Sequence, residues 1–196
     1  APAVNATLVR IGGTISAAAE QSPLVMGFLL GGIMKMICTS PLSSMALTAM
    51  LGLNGLAMGI AAIACVGGSF TNGIIFHRMG YGDKSNVIAV MLEPLTQANI
   101  ITKHPIPIYG SNFFGGGFAG VAAAAFGIIN NASPIPGLLA PFAFNSPLHV
   151  LGALAFAVAG GTLAGFVGSI VFKKLETKVE EKKEDADTAI PNVQFE

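Results

Sequence analysis

Charged side chains are scarce in this sequence of 196 residues. Only 10% of the residues are Asp, Glu, Lys or Arg, whereas hydrophobic residues make up 53%. Soluble domains carry about 25% charged residues, so the composition argues against an ordinary water-soluble domain. The formal net charge is zero, so the chain lacks the basic field with which nucleic-acid-binding proteins attract phosphates.

Tryptophan is absent, tyrosine is rare, and cysteine occurs only at Cys38 and Cys65. The usual aromatic belt of a membrane protein is therefore weak. The two cysteines lie in apolar stretches, without CxxC spacing and without a histidine cluster. We interpret them as small buried hydrophobic residues.

The motifs of nucleotide binding, zinc binding and nucleophilic catalysis are also missing. We find no Walker sequence, zinc-ligand spacing, nucleophile elbow or dinucleotide fingerprint. The three histidines are scattered, and a single Asp precedes the charged tail. The sequence therefore predicts no catalytic residue, no metal site and no cofactor, and it does not support an enzymatic activity.

Long apolar stretches are what the sequence does contain. Residues 38–76 include no charged side chain, and spans of about 20 mostly apolar residues are the signature of a bilayer core. The 25 glycines suit close helix packing in lipid. The chain is predicted to be an all-α integral membrane protein, a multi-span helical bundle with re-entrant or broken helices.

The predicted organisation has three parts. Residues 1–22 are an interfacial segment or the end of a preceding helix, residues 23–172 form the transmembrane domain, and residues 173–196 form a charged tail. Within the transmembrane domain we predict spans at about 23–37, 43–76, 113–129 and 148–172. A straight helix over 43–76 would exceed a bilayer core of about 30 Å, so we expect a break near Gly52–Gly55.

Two segments combine apolar residues with polar groups and prolines, at about 86–112 and 130–147. A helix facing lipid would not carry those groups, whereas a re-entrant segment that lines a protein cavity would. The tail contains five lysines close to the last span, and the positive-inside rule predicts a cytoplasmic C-terminus. Arg78 and Lys84 predict the same side for the loop at 77–85.

Glu93 is the sharpest candidate for a functional residue. It lies in the middle of an apolar segment and directly precedes Pro94. A carboxylate in a membrane costs several kcal/mol unless it is neutralised or paired, so it usually has a function. The functional interpretation is an acceptor for a substrate hydroxyl or a proton carrier, and the alternative is a structural ion pair with Lys103, His104 or Lys35.

Other polar residues form the rest of the predicted substrate-binding set. Their amides or imidazole can hydrogen-bond to the hydroxyls of a solute, but interhelical bonds or turn chemistry would use the same groups. With Glu93, the predicted set is Gln97, Asn99, His104, Asn112, Asn131 and Asn54. Asn54 could instead cap a helix. Lys35 is near a span end, where its side chain can snorkel to water.

Four stretches carry a family resemblance. They are the run Thr39-Ser-Pro-Leu-Ser-Ser44, the run Leu51-Gly-Leu-Asn-Gly-Leu-Ala-Met-Gly59, Ala98-Asn-Ile100 with Pro105, and the turn Asn131-Ala-Ser-Pro-Ile-Pro-Gly137. In order and spacing they resemble the membrane-embedded enzyme IIC component of the bacterial phosphotransferase system. More narrowly, they are similar to stand-alone IIC-like proteins regarded as sugar permeases or regulators.

The resemblance covers most of residues 20–170 and corresponds to the C-terminal half of that family. It implies re-entrant hairpins that hold a sugar near a Glu and a His, here Glu93 and His104. It also implies a homodimer in the bacterial inner membrane, in contact with lipid, and a separate, cleaved or missing N-terminal half. No phosphorylatable IIA or IIB domain is present, so coupled phosphorylation either needs a subunit on another chain or does not occur.

The predicted function is an enzyme IIC-like transporter or permease for a small polar solute, such as a sugar. One alternative is a non-transporting membrane sensor or lipid-binding protein with the same fold. The other is an ion-coupled transporter or channel in which Glu93 titrates.

Overall fold

The computed structural model describes residues 2–40, 44–132 and 139–188, and this part of the chain contains helices and no strand. Its helices are α1 (Pro2–Gln21), α2 (Pro23–Thr39), α3 (Ser44–Leu51), α4 (Gly55–Met79), α5 (Lys84–Leu92), α6 (Ala98–Ile101), α7 (Pro105–Ala125) and α8 (Pro147–Thr188). Two short 3₁₀ helices cover Pro94–Gln97 and Ala140–Ala143. The all-α bundle is as predicted.

The bundle presents apolar surface to its surroundings. Two of the described helical stretches, Gly55–Met79 and Pro147–Thr177, are long and apolar enough to cross a membrane. Large hydrophobic side chains are exposed along α2, α7 and α8, for example Val25, Phe118 and Phe156. Such a surface would be unfavourable in water, whereas it suits contact with acyl chains.

Glycines bring α2 and α7 into backbone contact. Gly27 and Gly31 on α2 face Gly116 and Gly120 on α7, and a Cβ at Gly31 would overlap the carbonyl oxygen of Gly116. Each helix therefore contributes one Gly-x-x-x-Gly pair to the same contact. The two helices run antiparallel, and their backbones are in contact because no side chain separates them at these glycines.

The interface between α4 and α8 is built in the same way. A Cβ at Gly161 would overlap the carbonyl oxygen of Gly67. One turn further along α4, the hydroxyl of Thr71 donates to the carbonyl oxygen of Gly161 at 2.8 Å. Helices α2, α4, α7 and α8 thus form one tightly packed group.

The break expected near Gly52–Gly55 lies between Leu51 and Gly55. Gly52 and Gly55 have φ values of 61° and 55°, a left-handed conformation that residues with a Cβ rarely adopt. Helices α3 and α4 are therefore separate elements. The neighbouring residues 41–43, which include the predicted break at Pro41, lie outside the described part of the chain.

The end of α4 and the C-terminal part of α8 lie at the same end of the bundle. Arg78 donates through Nε to the hydroxyl of Ser169 at 2.7 Å. Tyr81, just beyond α4, donates to a carboxylate oxygen of Glu176 at 3.0 Å. The loop after α4 and the charged tail therefore share one end, as the distribution of Lys and Arg predicts. We call this the Tyr81 end.

Residues 84–101 form a hairpin that starts and finishes at the Tyr81 end. The ring of Tyr81 before it stacks on that of His104 after it, with centroids 4.0 Å apart. Helix α5 packs along α4, with Met91 against Gly73. The amide of Asn86 on the first arm donates to that of Gln97 on the second at 2.7 Å. The hairpin turns at Glu93 and Pro94, where the missing N–H of proline ends α5.

The connection between α7 and α8 lies at the opposite end. Ile129 and Asn145 exchange two hydrogen bonds, since the Asn145 side chain accepts from Ile129 N and donates to Ile129 O. Ile129 and Asn145 therefore lie next to each other at this end of the bundle. The segment between them includes most of the re-entrant segment predicted at 130–147. Residues 133–138 of that segment lie outside the described residues.

The terminal segments also contain helices. In α1, a Cβ at Gly12 would overlap the carbonyl oxygen of Leu51, so this helix packs on α3. Helix α8 continues from the bundle into the charged tail as far as Thr188. Residues 189–196 of the predicted tail are beyond the described part.

Candidate functional site

Lys35 is buried in the middle of the bundle. Its side chain is 1% exposed, and its stem passes between Gly68 of α4 and Gly116 of α7, where a Cβ on either glycine would overlap it. The two glycines provide the space that the long side chain occupies. The prediction that Lys35 snorkels to water was wrong, because the bundle encloses the side chain on the α4 and α7 sides.

Two thiols and a backbone carbonyl lie near the Lys35 ammonium group. Nζ donates to the carbonyl oxygen of Cys65 at 3.4 Å, and this oxygen also accepts from the hydroxyl of Ser69 at 3.0 Å. The sulfur atoms of Cys38 and Cys65 are 2.7 Å apart. An ammonium has three N–H donors, and the Cys65 carbonyl takes one of them.

Glu93, at the turn of the hairpin, is a carboxylate that interacts electrostatically with the ammonium of Lys35. It interacts electrostatically with Lys35, Cys38 and Cys65, yet its oxygens form no ion pair with Lys35 within 4.0 Å. Its side chain is exposed, whereas that of Lys35 is enclosed. The two charged groups are therefore close enough to interact electrostatically, but they are not in direct contact. We call Lys35, Cys38, Cys65 and Glu93 the Lys35 cluster.

A pair of buried amides lies one helical turn away from the Lys35 stem. Asn112 of α7 donates through Nδ2 to Oδ1 of Asn72 on α4 at 2.6 Å, and both side chains are buried. Asn72 follows Gly68 by one turn, and Asn112 precedes Gly116 by one turn. The amide pair therefore continues the same polar layer between α4 and α7.

Each amide of this pair keeps one unused group. Nδ2 of Asn72 and Oδ1 of Asn112 are buried without a hydrogen-bond partner, as is the hydroxyl of the adjacent Ser111. Leaving a buried polar group unsatisfied costs about 1–3 kcal/mol. One donor and one acceptor side by side match a hydroxyl group, which both donates and accepts.

Three residues of the predicted set lie on or next to the hairpin, in different environments. Gln97 is buried and its oxygen is occupied by Asn86, so it joins the two arms. Asn99 is exposed. His104 is half-buried and stacks on Tyr81 at the base of the hairpin. Among the predicted residues, Glu93 lies at the Lys35 cluster and Asn112 in the neighbouring amide pair.

Asn54 and Asn131 lie at the other end of α4 from His104. The side chain of Asn131 accepts from the backbone N–H of Gly55 at 3.1 Å. Asn54 occupies the N-cap position of α4 without a side-chain cap bond. The 25 residues of α4 span about 37 Å, so a single small solute would not touch both ends.

Sequence reasoning passed over Asn72 and gave little weight to Lys35. Asn72 lies within the apolar run of α4, and nothing in the neighbouring sequence indicates which residue its amide contacts. The only available signal was chemical, because an amide or ammonium within a membrane helix is costly. Residues 6–40, 44–132 and 139–177, whose side chains are described, contain no group of three or more His, Cys, Asp or Glu side chains that could hold a metal ion.

Comparison with known proteins gives one match. A family model described as "Phosphotransferase system, EIIC" matches residues 1–185. No curated protein and no solved structure matches the chain.

Proposed function

The chain belongs to the phosphotransferase system EIIC family, whose members are membrane-embedded transporters of the phosphotransferase type, and we propose that it carries a small polar solute of the sugar class. The proposed binding site is the Lys35 cluster together with the Asn72–Asn112 pair. In this proposal the solute lies between Lys35 and Glu93, and one of its hydroxyls reaches the two amides.

The observation that carries the proposal is that the enclosed ammonium of Lys35 interacts electrostatically with the accessible carboxylate of Glu93 without forming a direct ion pair with it. A buried ammonium with spare donors, opposite a carboxylate that accepts only, can hold a ligand that offers both acceptors and donors. A sugar hydroxyl does both, and neighbouring hydroxyls can contact the two charged groups at once. Hydrogen bonds to charged groups are stronger than bonds between neutral groups, so such contacts would offset the loss of water from the solute.

The amide pair supports the same substrate class. Its unused Nδ2 and Oδ1 atoms belong to two different helices, α4 and α7. A hydroxyl bound there would satisfy both atoms and connect the helices. A purely apolar ligand would leave both atoms unsatisfied, which disfavours a lipid-binding role for this layer.

The hairpin at 84–101 is the proposed moving part. Its turn carries Glu93, and its start follows Gly80 and Gly82, whose positive φ values of 73° and 80° mark a conformation that glycine adopts readily. A rocking or elevator motion that moves Glu93 relative to Lys35 would expose the solute to one side at a time. We expect a homodimer in the bacterial inner membrane, with a cytoplasmic C-terminus and phosphotransferase subunits on other chains.

The test is uptake of radiolabelled sugars into vesicles containing the full-length protein, with a panel of free hexoses, pentoses and hexitols. Glu93→Gln keeps the shape of the side chain and removes its charge, so we expect uptake to fall by roughly tenfold or more, since a charge-assisted hydrogen bond contributes about 1.5–3 kcal/mol. Glu20→Gln is the matched control, because Glu20 is an exposed carboxylate at the end of α1.

Lys35→Met is the second variant, since it removes the ammonium and keeps an unbranched side chain. We expect it to abolish uptake and to leave the protein monodisperse in detergent. If both variants transport as the wild type does, the Lys35 cluster is not the solute site. If no sugar of the panel enters wild-type vesicles while another polar solute does, the sugar class is wrong and the site stands.

A further inference from the structure

A basic cleft opens at the Tyr81 end, on the junction of α4 and α8. It encloses about 240 Å³ and is lined by Arg78, Ser169, Ile170, Lys173, Lys174 and Thr177. The five residues from α8 recur at intervals of one, three, one and three positions, so they share one face of that helix. The cleft lies where the apolar run of α8 gives way to its charged run, away from the Lys35 cluster.

The guanidinium of Arg78 is held in place from two sides. Its Nε donates to Ser169, which in turn donates to the carbonyl oxygen of Phe166 at 2.6 Å. Its central carbon lies 4.1 Å from the centroid of the Phe166 ring. With Nε occupied, the two terminal amino groups remain as a planar fork, which matches the oxygens of a phosphate.

Lys173 and Lys174 add two ammonium groups to the same cleft. Neither lysine, nor Arg78, forms an ion pair within 4.0 Å with a carboxylate whose side chain is described. Three like charges that share one cleft repel each other, and an anion that binds among them removes that cost. The nearby carboxylate of Glu176 accepts from Tyr81 instead.

From this arrangement we infer that the Arg78–Lys173–Lys174 cleft is a binding site for a phosphate group at the membrane boundary. The guanidinium fork binds two phosphate oxygens and the ammonium groups bind the third. Ile170 lines the cleft, and the exposed Phe166 packs against the guanidinium, so apolar surface that could contact the acyl part of a phospholipid adjoins the basic groups. Two sources supply this chemistry: the headgroup of an anionic lipid, and a free or sugar-linked phosphate in water.

The test compares two triple variants that remove the same charge. The cleft variant is Arg78→Gln with Lys173→Gln and Lys174→Gln, and the control is Arg10→Gln with Lys84→Gln and Lys103→Gln. Native mass spectrometry of the full-length protein counts bound phosphatidylglycerol against phosphatidylcholine, and calorimetry measures binding of inorganic phosphate and of a hexose 6-phosphate.

We expect the cleft variant to lose roughly a hundredfold in affinity for phosphatidylglycerol, because its three charges converge on one phosphate and a hydrogen bond to a charged group contributes about 1.5–3 kcal/mol. The control should stay within about threefold of the wild type, since surface charges screened by salt contribute little. Arg78→Lys keeps the charge but not the fork, so it should show an intermediate loss. If the cleft variant does not fold, the Lys173→Gln, Lys174→Gln double variant is used, because those side chains are exposed.

If the wild-type protein binds phosphatidylglycerol but neither inorganic phosphate nor the hexose 6-phosphate, the phosphate group comes from the lipid. Saturable binding of inorganic phosphate or hexose phosphate that competes with the lipid supports an aqueous source. Equal losses in the two triple variants would mean that general surface charge attracts the anion, and would overturn the inference. Absence of all phosphate binding in the wild type would overturn it as well.

Discussion

Asn112 donates a hydrogen bond of 2.6 Å to Asn72 across the interface of α7 and α4, and the remaining nitrogen of Asn72 and oxygen of Asn112 have no partner. Asn72→Leu or Asn112→Leu leaves the other amide wholly unpaired, so each should lower the free energy of unfolding by about 1–3 kcal/mol. The double variant removes both polar groups and should lose less than the sum. Thermal unfolding in detergent compares the stability of the two single variants and of the double variant.

The same variants separate stability from function. The Asn72→Leu, Asn112→Leu double variant should fold and yet bind the transported solute more weakly, because the proposed hydroxyl partners are gone. A double variant as destabilised as the sum of the two single ones would contradict a direct interaction between the amides.

Gly31→Ala should destabilise the bundle by about 1–3 kcal/mol, as overpacking of a tight contact does. The added Cβ would overlap the carbonyl oxygen of Gly116, and a backbone cannot rotate out of the way. Gly13→Ala is the control, because nothing lies within 4 Å of a Cβ there. Alanine within a helix is more stable than glycine by about 0.5–1 kcal/mol, so the control should leave the stability unchanged or raise it. Chemical unfolding followed by circular dichroism measures both variants.

The cysteine pair should close to a disulfide under a mild oxidant. The sulfur atoms of Cys38 and Cys65 are 2.7 Å apart, so diamide can take two electrons and two protons from the thiols and become the corresponding hydrazine. Loss of maleimide labelling, restored by dithiothreitol, reports the bond that links α2 to α4. Cys65→Ser is the control, and continued labelling of both thiols after diamide treatment would contradict their proximity.

Asp83 should make the start of the hairpin sensitive to acid. Hydrogen bonds from the Ser85 side chain and from the backbone N–H groups of Asn86 and Ser85 lower the pKa of its carboxyl group. A group whose pKa is lowered by folding contributes stability above its unfolded pKa of about 3.9, and that contribution is lost as pH falls through the folded pKa. Amide hydrogen exchange of residues 84–92 should therefore quicken at acidic pH, after correction for the intrinsic rate.

Asp83→Asn is the matched variant for this effect. Asparagine also caps helices but has no acidic proton, so exchange in α5 should lose its extra acid dependence. An unchanged acid dependence in this variant would assign the effect to another group.

Much of the helical architecture follows from rules that are local in sequence. Pro94 ends α5 because proline has no N–H, and the glycines near Asn54 permit the left-handed turn between α3 and α4. Both breaks were therefore visible in the sequence. The all-helical fold and the abundance of glycine at helix contacts follow from the requirements of lipid in the same way.

The site could be predicted only in part, because its contacts join distant positions. Asn72 and Asn112 are 40 residues apart in sequence, and the sequence of α4 contains no sign of the helix that faces Asn72. Lys35 was misjudged because its place near the end of an apolar run resembles that of a snorkelling residue. The glycines at 68 and 116, on two other helices, make room for its stem.

The stack of Tyr81 on His104 closes the base of the hairpin and has a mechanical consequence. In the proposed motion, the hairpin pivots about this fixed base, and Glu93 moves at its free end. The nine residues of α5 reach about 13 Å, so a swing of roughly 15° would shift the carboxylate by roughly 3–4 Å. That distance is comparable to one hydrogen-bond length. A small tilt of the hairpin would therefore suffice to bind or release a ligand, without any movement of the tightly packed helices α2 and α7.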